Sequence, residues 1–209
     1  MYEKLNNSNS DRYEFIFPSY GINKSFDTED NIKGFLSLNS SGSQHLYDTN
    51  ILESQIINDL TYQSDDIFLN NGLKNNYNIL LKNVNTNGKN STAFKEDFQA
   101  EILTSFLFET SYPLIRNGID FNSYLTPKLS LKYSPNNMKN LRGDNRRIDT
   151  KSIWSSNRIG SSTTVESGQS LTIGTEYKKS KNISKIIGTD AALDPEEPVD
   201  ILEIGLATM

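Results

Sequence analysis

The chain has 209 residues, a net charge of −5 and a hydrophobic share of 35%. The excess of 26 acidic over 21 basic residues disfavours a nucleic-acid partner, because phosphate binding needs a basic face. With no Cys, disulfides and thiolate metal sites are excluded, and the single His, His45, leaves little for acid–base catalysis.

No stretch reaches the roughly 18 apolar residues of a membrane helix. The start, MYEKLNNSNSDRYEF, has no apolar core of the kind that marks a signal peptide. The low hydrophobic share is short for a soluble core, but it suits a transmembrane barrel, where only alternate residues are apolar.

Eight extended segments are read along the chain. In the first, Tyr13 to Phe26, the residues Tyr13, Phe15 and Phe17 share one face, and Pro18, Gly21 and Asn23 weaken the second half. In the second, about Asn31 to Leu38, Ile32, Leu36 and Leu38 oppose Lys33, Ser37 and Asn39, with Phe35 out of phase; a turn is expected at SSGSQ. The third, Ile51 to Gln63, sets Leu52, Ile56, Leu60 and Tyr62 against Glu53, Gln55, Asp59 and Thr61, although ILESQIINDL also fits a turn or two of amphipathic helix. The fourth, Asn76 to Val84, has Tyr77, Ile79 and Leu81 in phase and leaves through NTNGKN, an Asn-Gly hairpin signal.

The fifth segment, Phe98 to Tyr112, places Phe98, Ala100, Ile102, Phe106 and Phe108 on one side and Glu101, Ser105 and Glu109 on the other; Leu103 and Leu107 are exceptions. The sixth, LTPKLSLKYSP from Leu125, has the cleanest alternation, with Leu129, Leu131 and Tyr133 opposing Lys128, Ser130 and Lys132. The seventh is Ser170 to Lys178 and the eighth Val199 to Ala207.

These segments predict an all-β chain: an antiparallel up-and-down meander of about eight strands, forming a curved piece of a large transmembrane barrel. One partial barrel domain, 1–209, is expected, with a long loop at about 135–169 on the extracellular side, where such barrels keep their long loops. The strand still running at Met209 suggests that barrel strands continue beyond it, since open edges are not tolerated in lipid. On this reading Glu101, Glu109, Lys128, Ser130 and Lys132 face a wet lumen.

Candidate chemistry is sparse. Lys139 to Lys151 is rich in charge, and Arg142, Arg146 and Arg147 are candidates for anion contact, set against the blander reading of a solvated loop. Arg158 and Glu166 are expected to pair and fix the loop. Trp154, the only Trp, fits an interfacial anchor or a packed loop residue equally well. No catalytic, phosphate-binding or metal motif occurs, so an enzyme is disfavoured. Gly34, Gly174 and Gly205 suggest bends of a curved sheet rather than ligand sites.

Three pieces together resemble the lipopolysaccharide-assembly outer-membrane proteins (LptD, or OstA), in the manner of alphaproteobacterial members. They are FETSYPLIRNG with LTPKLSLKYSP; SIWSSNRIGSSTTVESGQSLTIGTEY, with Asn157, Arg158, Glu166, Gly168, Leu171 and Gly174 in the motif; and YEFIFPSYGINKSF with GSQHLYDTN and INDLTYQS. The chain departs from the family at Trp154, where Phe is usual, at Thr163, where Asp is usual, and in lacking the family's cysteines. The resemblance implies a piece of the translocon that inserts lipopolysaccharide into the outer leaflet of Gram-negative bacteria. Implied partners are lipopolysaccharide, outer-membrane lipid, an LptE-like plug lipoprotein in the lumen, and a periplasmic bridge reached through a domain outside this chain; no cofactor is implied. A generic porin or adhesin barrel and a soluble carbohydrate-binding β-sandwich are the alternatives.

Overall fold

Alternating sequences have one stable backbone solution, the strand, because only a period of two puts every apolar residue on one side. The computed structural model describes residues 2–3, 13–28, 33–47, 50–137, 139, 147–181 and 199–209, with backbone only at 2, 3, 13 and 199–201. Its strands are β1 (Tyr2–Glu3), β2 (Tyr13–Thr28), β3 (Gly34–Tyr47), β4 (Leu52–Ser64), β5 (Ile67–Phe68), β6 (Lys74–Lys89), β7 (Gln99–Ser111), β8 (Leu114–Asn117), β9 (Phe121–Ser134), β10 (Gly168–Lys181) and β11 (Val199–Thr208). All belong to one 11-stranded sheet, in the order β1-β2-β3-β4-β6-β7-β9-β10-β11, with β5 on β6 and β8 on β9. Every pairing is antiparallel, and apart from the short β5 and β8 each strand pairs with the next in the chain, so the sheet is an open, curved, up-and-down meander. The only helical turn among the described residues is a 3-10 turn at Ser152–Trp154.

The all-β meander agrees with the sequence reading, and several local expectations are corrected. SSGSQ is not a turn: Ser40 to Gln44 lie inside β3, paired to β2 and β4. The Asn87-Gly88 pair is not a hairpin either, since β6 runs on to Lys89 against β4. The first stretch is held by a neighbour on each side and the second by β4, and ladder pairing outweighs their weak strand propensity. ILESQIINDL is strand, not helix. The short strands β1, β5 and β8 raise the count above eight.

One break of phase comes from a bulge. Between Ile16 and Ser19 the register of β2 against β3 shifts, so Phe15 lies on the same face as Tyr20, Ile22 and Phe26 despite their opposite parity.

Candidate functional site: an apolar face and a loop-covered polar face

The two faces of this sheet are the reverse of a soluble protein's. The buried hydrophobic residues among those described are Leu80, Val84, Leu103, Leu107 and Val165. Buried polar residues outnumber them and include Lys82, Ser105, Ser130, Lys132, Arg158 and Thr172. Meanwhile Phe26, Ile79, Phe106, Leu131, Tyr133, Leu171, Ile173, Ile204 and Leu206 are exposed, all on the opposite face. No second sheet covers these rows among the described residues, so the β-sandwich reading, which needs two apolar faces packed together, has no counterpart here.

The exposed rows form a band that runs obliquely across the sheet. One line of paired residues reads Phe26, Leu36, Tyr62, Ile79, Phe106 and Tyr133 from β2 to β9. In β2 the apolar stretch lies to one side of this line, from Phe26 back to Phe15; in β9 it lies on the other side, from Tyr133 back to Leu125. The band centre thus shifts by about nine residues over five strand-to-strand steps; at about 3.3 Å per residue and 4.8 Å between strands, the strands incline by roughly 50° to the perpendicular of the band. Strands of membrane barrels tilt by roughly 35–45° to the bilayer normal. On β3 to β6 a row of outward positions is polar, flanked on β3 and β4 by exposed Leu46 and Ile56. Ser40 Oγ donates to Asn58 Oδ1 (2.6 Å), Asn58 Nδ2 to Asn83 Oδ1 (3.1 Å) and Asn85 Nδ2 to Asn83 Oδ1 (2.6 Å).

The opposite face is polar and carries the long connection between β9 and β10. This segment, 147–167 in its second part, folds back over the sheet and is fastened to successive strands. From β6, Lys82 Nζ (1% exposed) donates to both carboxylate oxygens of Asp59 at 2.6 Å and to the Ser162 carbonyl at 2.9 Å. From β7, Ser105 Oγ donates to the Ser156 carbonyl (3.1 Å). From β9, Lys132 Nζ (5% exposed) donates to Glu166 Oε2 (3.1 Å). Within the loop, Arg158 (4% exposed) grips Glu166 through Nε (2.8 Å) and Nη2 (3.2 Å), and its Nη2 also reaches Ser170 Oγ on β10 (2.6 Å). Glu166 therefore joins two buried cations, and Arg's planar fork suits this bidentate role.

Beneath the loop lies a small apolar patch of Leu80, Leu103 and Val165. It explains why Leu103 interrupts the alternation of β7: it packs with Leu80 and Val165 on the polar face, where Leu107 is buried too. Asn157 ties its own turn, with Nδ2 donating to the Ser161 carbonyl (2.8 Å). Gly168 starts β10 at a φ of +100°, a conformation that favours glycine, while space for a Cβ is open. Trp154 sits on this polar face, against Gly174, whose missing Cβ would lie 2.8 Å from the indole. It is a packed loop residue rather than an anchor on the apolar band.

Glu101, Glu109, Lys128, Ser130 and Lys132 all lie on the loop-bearing face. Lys128 pairs with Glu176 on β10 (2.7 Å), and Glu101 pairs with Lys139. Of the anion-contact candidates, Arg147 is exposed and Arg142 and Arg146 lie outside the described residues. His45 is bound by Glu14 and by Ser43 Oγ (3.0 Å) on the polar face. The loop's route over the sheet was not foreseeable from sequence; the one signal was the misplaced Leu103 and Leu107.

The 149–154 turn is built by Asp149. Its Oδ1 accepts from the backbone N–H groups of Ser152 (2.6 Å) and Lys151 (2.9 Å). These hydrogen bonds, first those of Ser152, hold the carboxyl below its ordinary value. Among the described residues no cluster of His, Cys, Asp or Glu could hold a metal ion. No protein-family model matches the chain, and no curated protein or solved structure matches it significantly.

Proposed function

We propose that this chain is a segment of an outer-membrane barrel wall, with its apolar face against lipid and its loop-bearing face lining a wet lumen, and that it serves the insertion of lipopolysaccharide into the outer leaflet. The observation that carries the membrane part is the oblique apolar band. A soluble sheet has no reason to expose one apolar stripe, inclined at a barrel-like angle, while burying lysines on its other side. The lipopolysaccharide part rests on the resemblance of the Asn157–Gly168 motif and the paired β7 and β9 sequences.

On this reading the work is translocation without bond chemistry. The polar face accommodates sugar and phosphate groups, acyl chains travel on the lipid side, and a plug lipoprotein shares the lumen. The connection between β9 and β10 opens on the extracellular side, and its 147–167 part lies back over the lumen face. A second reading, a diffusion channel of another kind, is favoured by the inward fold of this loop, which narrows any enclosed space. Single-channel conductance that disappears when the loop is fastened by an engineered crosslink would select it.

The chain has no cysteine, so one introduced Cys is a unique attachment point. Photo-crosslinkers at residues 129 and 131 are expected to capture phospholipid in cells, and those at 109 and 128 to capture lipopolysaccharide. Lipid adducts from 109 and 128 but not from 129 and 131 would overturn the membrane reading. Lipid adducts from 129 and 131 with no lipopolysaccharide from 109 or 128 would overturn the transport reading alone.

A further inference from the structure

Beside the loop, the polar face holds a cleft of about 580 Å³. Its walls are Glu109 of β7, Lys128 of β9, Glu176 of β10, Glu203 of β11, and Lys151 and Trp154 of the loop. We propose that this cleft is a subsite for a neutral or amino saccharide of two to three units. The inference extends the lumen reading by naming a ligand class within it.

Three observations support it. The floor is open at Gly205, which has nothing within 4 Å of where a Cβ would stand, while Gly174 seats the Trp154 ring that forms one wall. The volume lies within the roughly 300–1,000 Å³ of small-molecule sites. The lining combines one aromatic ring with side chains that accept or donate strong hydrogen bonds, the pairing that a sugar's C–H face and hydroxyl rim require.

Charge sets the class. Lys128 is committed to Glu176 at 2.7 Å and lies 5.8 Å from the centre of the Trp154 ring. That leaves Glu109, Glu203 and Lys151 to meet a ligand, an acidic balance. Carboxylates accept from hydroxyl and ammonium groups and repel phosphate. The cleft therefore selects against phosphorylated sugars, unlike the arginines of residues 142–147.

Trp154 is the only Trp, so its fluorescence reports on the cleft alone. The full chain in a sugar-free detergent is titrated with the N-acetylglucosamine trimer, maltotriose and glucose 6-phosphate. A saturable change is expected with at least one neutral trisaccharide and none with the phosphate ester. Gly205→Leu fills the floor without removing a polar group. It and Glu203→Gln should each weaken binding about tenfold, the loss of one charge-assisted contact or its equivalent. Absence of a saturable change with both trisaccharides overturns the proposal, as does unchanged affinity in Gly205→Leu or saturable binding of glucose 6-phosphate. Should Gly205→Leu fail to fold, calorimetric titration of Glu203→Gln decides by the same tenfold criterion. Binding by a chain that does not enter bilayers would sink the membrane reading only; insertion without binding would sink the subsite only.

Discussion

Replacing Glu166 by Gln tests the loop anchorage most directly. The side chain keeps its shape but loses the charge that both Arg158 and Lys132 rely on. Those cations are 4% and 5% exposed, so water cannot replace the carboxylate without the loop lifting. Removing one partner of a buried ion pair costs about 3–5 kcal/mol. At about 1.4 kcal/mol per factor of ten, loop opening becomes roughly a hundred to a few thousand times more frequent. Hydrogen exchange resolved by peptide is the assay. Residues 149–167 should exchange faster by about that factor, while β2 and β3, to which residues 147–167 make no hydrogen bond among the described residues, stay unchanged. The matched control is Glu176→Gln. Glu176 pairs with Lys128 at 2.7 Å, but its side chain is 43% exposed, and such pairs contribute only about 0–1 kcal/mol. Acceleration by less than about threefold in Glu166→Gln, or an equal effect across the whole sheet, refutes the reasoning that the loop is an independently released unit held by buried charge.

Ile79 sits in the middle of the apolar band on β6, so Ile79→Arg should cost about 2–4 kcal/mol in a bilayer and almost nothing in a water-exposed setting; urea titration of liposome-folded protein separates the two. Gly174→Ala places a Cβ 2.4 Å from the Leu206 carbonyl and 2.8 Å from the indole of Trp154, which should destabilise by about 1–3 kcal/mol and red-shift the Trp emission as the ring is pushed outward. The 149–154 turn should be acid-sensitive. The carboxyl of Asp149 is depressed in the folded turn, so its contribution is present above the unfolded carboxylate value of about 3.9 and is lost as pH falls below that through the folded value. Exchange rates of the Lys151 and Ser152 amides should be flat, once corrected for intrinsic chemistry, from neutrality to about pH 4 and rise only below it, with Asp149→Asn abolishing the step.

The strand positions and their faces were legible because alternation is a local property. Leu129, Leu131 and Tyr133 against Lys128, Ser130 and Lys132 need no knowledge of neighbours. What escaped was non-local. Ser40 to Gln44 and Asn85 to Lys89 carry turn-forming residues, yet the first is paired on both sides and the second is held along its whole length by β4. The bulge at Ile16 to Ser19 reverses parity in mid-strand, which a fixed period cannot register. Pairing of Arg158 with Glu166 follows from short sequence separation, but the third member, Lys132, comes from another strand. Likewise Trp154 could not be placed without knowing that Gly174 leaves a seat for it.

The loop's attachments have a mechanical consequence. A one-residue slip of a strand carries its side chains about 3.3 Å, further than contacts of 2.6–3.1 Å at Lys82, Ser105 and Lys132 can stretch. The back-folded segment therefore acts as a cross-beam that locks β6, β7, β9 and β10 into one plate. Among the described residues the segment makes no hydrogen bond to β2 or β3, so bending of the sheet would fall on that side.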